Sequence, residues 1–214
     1  MAIRSAISLM KYQKGVSLVE MLIASTIGIL AIIAVGSIFI SGQKLATDRS
    51  MRLLVLQNMN DAMRYMKEDM QRAGYNGNNG SSLILSGASD VITVTSSSIA
   101  YAYLSNNNKI VYTKFTGEPL VSSAPPVGGI LQMCIEPDVS AANPTVPTCA
   151  RNYSLMDDSR VVLNEISFAE IALGNSVSSA YITITMKAAL ANAPNMNDNY
   201  EQTMTTKIKQ RNWK

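Results

Sequence analysis

Residues 16–40 form a run of 25 positions in which Glu20 is the only charge. As an α-helix, rising 1.5 Å per residue, the run is about 37 Å long and can cross a hydrocarbon core of about 30 Å. A helix apolar on every side belongs in a bilayer or in the middle of a larger core. An ionised carboxylate at bilayer depth costs roughly 2.5–3.5 kcal/mol on insertion scales, so Glu20 calls for a dedicated partner. The flank before the run carries Arg4, Lys11 and Lys14 and no acid, whereas the flank after it mixes Lys44, Asp48 and Arg49. The positive-inside bias puts the amino terminus in the cytoplasm and the chain beyond about residue 42 outside. Three readings compete. A cleaved secretory signal needs a short apolar region ending in a small-residue site, but this run is long and leads without a break into another helical pattern. A plain single-pass anchor explains everything except Gly15 and Glu20. The third reading is a leader cut before the apolar segment, which then stays in the mature chain.

Composition narrows the chemistry. Of the 18 basic residues three precede Gly15, so the remaining 15 balance the 15 acidic ones, and the chain beyond Gly15 is formally neutral. Bulk charge therefore gives no reason to expect nucleic acid. The chain has no histidine, which removes the commonest general base, the Ser-His and Cys-His nucleophile pairs and the commonest zinc ligand. The two cysteines, Cys134 and Cys149, enclose a segment containing Pro137, Pro144 and Pro147. So far apart and without histidine, they make a poor metal site and a reasonable disulfide, with two unrelated buried thiols as the alternative. Closing such a loop is worth about 3 kcal/mol in an oxidising compartment. Neither a cofactor nor a metal is expected, and no catalytic residue is assigned.

The junction Lys14-Gly15-Val16-Ser17-Leu18-Val19-Glu20, continuing Met21-Leu22-Ile23-Ala24, resembles the class III leader of type IV pilins and type II secretion pseudopilins. The resemblance implies that a prepilin peptidase cuts between Gly15 and Val16 and methylates the new amine of Val16. It also implies that Glu20, fifth in the mature chain, matches the glutamate of that family. Major pilins usually begin with Phe or Met where this chain has Val16, and carry a helix-kinking proline near Ser37. Here Gly36-Ser37 and Ser41-Gly42 stand instead, and glycines at about 1 kcal/mol each are expected to weaken the helix locally. A physical rationale accompanies the match. Removing a leader leaves a cationic amine at the apolar end of a helix, and the Glu20 carboxylate of a neighbouring subunit can neutralise it, so attraction offsets desolvation.

Past Gly42 the pattern turns amphipathic. Leu56, Met59, Met63, Met66 and Met70 recur at steps of three and four, the stripe of a helix packing on a sheet. The helix is predicted to end at Ala73, with Gly74 as its left-handed cap, before a tight loop through residues 76–80. Beyond residue 82 the period changes to two. Strands are predicted over 91–95, 99–104, 110–115, 161–172, 181–189 and 202–210, with Asn106, Asn107 and Asn108 turning a hairpin. The stretches 122–129 and 134–149 read as irregular. One long helix followed by strands gives an α+β chain with an antiparallel sheet domain. This order also resembles pilins. Within that family Met66-Lys67-Glu68-Asp69-Met70-Gln71-Arg72-Ala73-Gly74-Tyr75 resembles the helix end of PilW-type minor pilins, and Lys207-Ile208-Lys209-Gln210-Arg211-Asn212 resembles their closing strand.

Other candidate chemistry is weaker than its bland reading. Lys207, Lys209 and Arg211 share one strand face; such a basic face can grip DNA, but lysines on an edge strand also prevent edge pairing, and DNA is not expected as a partner. Tyr101, Tyr103 and Tyr112 read as cross-strand packing sooner than as a stacking platform. Asn195, Asn197, Asp198, Asn199 and Glu201 lack the glycine and distant glutamate of a calcium loop and read as a polar turn. Asp157-Asp158 is an acidic turn with no obvious partner.

The resemblance implies four segments: a leader at 1–15, an assembly helix at 16–42, its amphipathic continuation at 43–74 and a periplasmic or extracellular domain at 75–214. It implies a non-enzymatic minor pilin that primes a type IV pilus or sits at its tip. The partners implied are other minor pilins, the major pilin, prepilin peptidase, the inner-membrane assembly platform and, before assembly, membrane lipid. A type II secretion pseudopilin is the alternative, and an unrelated single-pass receptor or enzyme stands behind both.

Overall fold

The computed structural model describes residues 15–77, 80–119, 129–139, 149, 151–172, 180–191 and 200–209. The predicted features at Arg4, Lys11, Lys14, residues 122–128, residues 195–199, Arg211 and Asn212 lie outside them. The chain divides into two compact units, Met1–Asp48 and Arg49–Lys214. A single helix, α1 (Leu18–Met70), supplies residues to both. It continues through Gly36 and Gly42 without a melted turn. The propensity cost of two glycines is small beside the cooperativity of a 53-residue helix. Ser37 is also accommodated, its hydroxyl donating to the Ala34 carbonyl at 2.8 Å.

In the second unit α1 buries one stripe. Val55, Met59, Met63, Met66 and Met70 are buried, with Ala62 between them. Leu56, expected on this stripe, is only half-buried, and Val55 takes the central place. The strands are antiparallel throughout and divide between two sheets. The first has the order β1-β2-β3-β4-β5, from Ile92–Val94, Ser98–Leu104, Ile110–Glu118, Ile130–Val139 and Asn152–Ser154. The second joins β6 (Val161–Ala172), β7 (Ala180–Leu190) and β8 (Gln202–Lys209). Alternation sends Ile99, Tyr101, Phe115, Leu131 and Met133 from one sheet, and Leu163, Phe168, Ile182, Ile184 and Met186 from the other, into one core with the helix stripe. The opposite face of the first sheet carries Ala100, Ala102, Ile110, Tyr112 and Cys134, covered by Leu83 and Leu85. The two sheets meet at a crossing where Gly117 lies under Ile166, with no room for a Cβ.

Two expectations in the middle of the chain are corrected. Residues 130–139, expected to be mostly irregular, form β4, which pairs along the whole of β3, and β5 adds a short strand that the pattern did not suggest. Pro137 masked β4. The strand accepts it because β5 covers only Gln132, Cys134 and Met133 between them, leaving Pro137 on an edge where no amide is needed. The register also slips at Ile110/Val111 beside this proline. The asparagine hairpin forms as predicted: Asn108 takes φ +58° and its amide donates to the Ser105 carbonyl.

Helix α1 stops at Met70, three residues earlier than predicted, and gives way to tighter turns. The amides of Arg72, Ala73 and Tyr75 each donate to the carbonyl three residues back. Gly74, at φ +74°, ends the turn. Its amide donates to the Ala102 carbonyl and the Leu104 amide donates to the Tyr75 carbonyl, so the chain leaving the helix pairs with β2. A Cβ on Gly74 would overlap Val91 Cγ1. Gly74→Ala is expected to destabilise the domain by about 2–4 kcal/mol, the sum of a left-handed alanine and an overpacked contact. Gly80→Ala, at φ +69° but in open space, should cost only about 1–2 kcal/mol. Urea midpoints of the two variants in detergent micelles check this; equal losses would rule out the Val91 contact.

Candidate functional site

Within the amino-terminal unit, residues 16–40 form an apolar surface with one acid on it. Every Val, Leu, Ile, Met and Phe between positions 16 and 40 is between 55% and 77% exposed. The helix is long and apolar enough here to cross a membrane, and none of its most apolar stretch is buried. Gly15, Val16 and Ser17 precede the helix and are exposed. The Met21 amide donates to the Ser17 carbonyl at 3.1 Å, which makes Ser17 the capping position and puts Glu20 in the first turn. There the helix dipole favours a carboxylate by about 0.3–1 kcal/mol in water. That is less than the cost of carrying the charge into a bilayer.

Three hydroxyls of the apolar segment are satisfied within the helix. Ser25 donates to the Leu22 carbonyl at 2.9 Å and Thr26 to the Ile23 carbonyl at 2.8 Å, just as Ser37 does within its own turn. Glu20 is different: among the described residues it has no ion pair and no hydrogen-bonded partner. Gly15 is unusual in a second way. Among the described residues nothing lies within 4 Å of where its Cβ would be, so packing against them gives no reason for a glycine here.

The other candidates resolve into structural roles or remain exposed surface. Cys134 and Cys149 are joined by a disulfide, with Cα atoms 5.8 Å apart, pinning the chain after β4 back onto that strand. Tyr101 and Tyr112 are fully buried and Tyr103 nearly so, on opposite faces of the first sheet, so they form no stacking platform. Lys207 and Lys209 are exposed on one face of β8, an edge strand. The acidic turn does have partners: Asp157 lies 3.5 Å from Arg160 and accepts from Ser159, while Asp158 accepts from Ser154. The Ser159 hydrogen bond holds the Asp157 carboxyl below its usual range. Among the described residues no cluster of three metal-ligating side chains occurs.

Residue-by-residue reading missed Asp69. It sits on the stripe of α1 at 6% exposure, where the pattern counts an acid as solvent-facing. Tyr101 donates to its Oδ2 at 2.6 Å and Tyr103 to its Oδ1 at 3.4 Å. Arg72 lies 3.6 Å away, its guanidinium 5.8 Å from the centre of the Tyr103 ring. Burial, and then the Asp69 charge, holds the Tyr101 hydroxyl well above the ordinary tyrosine range and raises that of Tyr103 as well, where Arg72 partly opposes the shift. The signal available in the sequence was spacing: Asp69 follows Met66 by three and precedes Met70 by one, inside the buried arc.

The family model for prepilin peptidase-dependent protein B matches residues 48–206, and that for the prokaryotic N-terminal methylation motif matches residues 10–41. The chain belongs to the prepilin peptidase-dependent protein B family. Together the two matches make it a type IV pilin-like protein, anchored by its amino-terminal apolar helix. No curated protein and no solved structure matches it. Prepilin-like proteins are typically structural subunits that associate with other pilins and with prepilin peptidase.

In this member of the prepilin peptidase-dependent protein B family the buried acid has a testable cost. Tyr101→Phe removes one of Asp69's donors and is expected to lower stability at pH 7 by about 1–3 kcal/mol. The pH dependence has a fixed sign. Unfolded tyrosine ionises near its ordinary value of about 10, whereas folded Tyr101 stays protonated higher. Its contribution is thus intact below about pH 10 and is lost as pH rises beyond it. Urea titrations at about pH 7 and pH 11 should show a smaller alkaline loss in the variant than in the parent chain.

Proposed function

We propose that this chain is a PilW-like minor pilin, inserted in the inner membrane with residues 43–214 in the periplasm, trimmed between Gly15 and Val16, and assembled into a type IV pilus where it primes the filament or occupies its tip. The observation that carries the reading is Glu20: an exposed acid in the first turn of the helix that has no partner among the described residues, while Ser25, Thr26 and Ser37 of the same apolar segment bond within their own turns. A carboxylate so placed is of use to a cation that arrives from outside the chain. The amine freed at residue 16 of a neighbouring subunit is such a cation. Pairing it with Glu20 in a packed helical bundle sets the axial register of one subunit on the next. Gly15 fits the same reading, since a glycine that packs against none of the described residues suits recognition by a peptidase.

Losing one partner of a buried pair strands the other charge at a cost of about 3–5 kcal/mol, roughly a hundredfold or more in association. Glu20→Ala chains expressed with prepilin peptidase should therefore lose residues 1–15 normally, by mass spectrometry, and gain one methyl group on Val16. They should nevertheless fail to co-purify with sheared filaments. Normal incorporation of Glu20→Ala would sink the pairing role, and an intact leader in cells with active peptidase would sink the whole reading. Deleting the gene should abolish surface pili; loss of protein secretion with pili intact would instead assign the chain to a secretion pseudopilus.

A further inference from the structure

The segment Arg72-Ala73-Gly74-Tyr75 is mostly consumed by folding. Arg72 faces Asp69, Ala73 is buried, and Gly74 makes the turn that meets β2. The Tyr75 main chain is also spoken for, since its carbonyl accepts from Leu104. Its side chain is not: Tyr75 is 45% exposed. It lines a groove of about 500 Å³ between the helix-end turn and the β2–β3 hairpin, with Gln71, Arg72, Tyr103, Ser105 and Asn106 around it. The groove continues past Tyr75 to Asn76 and Asn108. Its size is that of a small-molecule site.

We propose that this groove binds a neutral oligosaccharide. The inference does not rest on the assembly reading, because every residue it uses lies in the second unit. Charge excludes the commonest alternatives. Among the residues lining the groove Arg72 is the one formal charge, and the buried Asp69 beside it neutralises it. A phosphate, a nucleic acid or an acidic peptide would find no net attraction. The amides of Gln71, Asn106 and Asn108 and the hydroxyl of Ser105 each offer both donor and acceptor capacity, which matches the hydroxyls around a sugar ring. Tyr75 supplies a flat apolar face for the C–H side of such a ring. A peptide fits less well. Leu104 is the single aliphatic side chain lining the groove, and β2 and β3 are already paired on both sides, so neither an apolar anchor pocket nor a free edge is on offer. The walls are preorganised: the Gly74 and Leu104 amide bonds fix one, and the Ser105–Asn108 turn fixes the other.

The test uses the full chain in dodecylphosphocholine micelles, whose headgroup carries no sugar to compete. Cellotetraose and chitotetraose serve as probes in saturation-transfer NMR and titration, at concentrations up to about 10 mM. Saturation of the sugar-ring protons of at least one probe is expected. Tyr75→Ala should weaken that binding about tenfold or more, and Tyr75→Phe should keep it within about threefold because the ring remains. Asn106→Ala, in an exposed turn, should weaken binding with an unchanged thermal melt, so the proposal stays testable even if position 75 proves intolerant. No transfer from either probe, or undiminished binding in both Tyr75→Ala and Asn106→Ala, would overturn it. So would tighter binding of heparin or of an uncharged peptide at the same residues.

Discussion

Helix α1 is asked to satisfy two solvents. From Leu18 to about position 54 its apolar side chains are exposed around its whole circumference, whereas from Val55 onward one stripe is buried and the rest is polar. Exposed leucine and isoleucine in such number cannot stay in water, since burying each is worth about 1.5–3 kcal/mol. The first part therefore requires lipid or other helices. The second part requires only the sheets of its own domain. The unit boundary at Asp48/Arg49 falls near this change of regime, so one continuous element belongs to two folding environments.

Within the second unit the helix stripe is the common wall. Met59, Met63, Met66 and Met70 share one core with residues from both sheets, and methionine's unbranched, polarizable side chain suits a surface that must meet two sheets at once. The sheets themselves are joined by close approach at Gly117 and by the Leu163 amide donating to the Gly129 carbonyl. The far side of the first sheet is closed by Leu83 and Leu85 and by the disulfide at Cys134. Shifting the stripe of α1 by one residue would turn Asp69 away from Tyr101 and bring charge onto the core face, so the polar cluster at the helix end also fixes the helix's rotation.

Much of this could be read from residue order, and the parts that could not share a cause. The apolar run, the methionine stripe, Gly74 and the strands from β6 onward are local patterns whose period shows directly. Strand β4 was hidden because Pro137 reads as a breaker, and only the shortness of β5, a long-range fact, leaves it an edge on which to sit. The division of strands between two sheets is likewise a matter of pairing partners and not of period. Asp69 was hidden because its donors, Tyr101 and Tyr103, lie more than thirty residues away. The acidic turn at Asp157 was legible, but its tie to the helix was not, because the Asp157 amide donates to the distant Asn58 on α1.

Two of the acids of α1, Asp69 and Glu20, show the contrast between an acid buried with partners and one without. Asp69 leaves water with two tyrosine donors and an arginine supplied by the same domain, and nothing further is needed from outside. Glu20 is carried on a surface that must leave water as well, yet among the described residues no donor approaches it. The same helix thus contains both a completed polar site and an incomplete one. On the proposed assembly reading, the incomplete site is costly for a solitary subunit and becomes favourable beside a neighbour's cation. Selecting that neighbour by charge, where apolar packing alone would accept many registers, is what a single acid near the start of an otherwise featureless apolar helix can do.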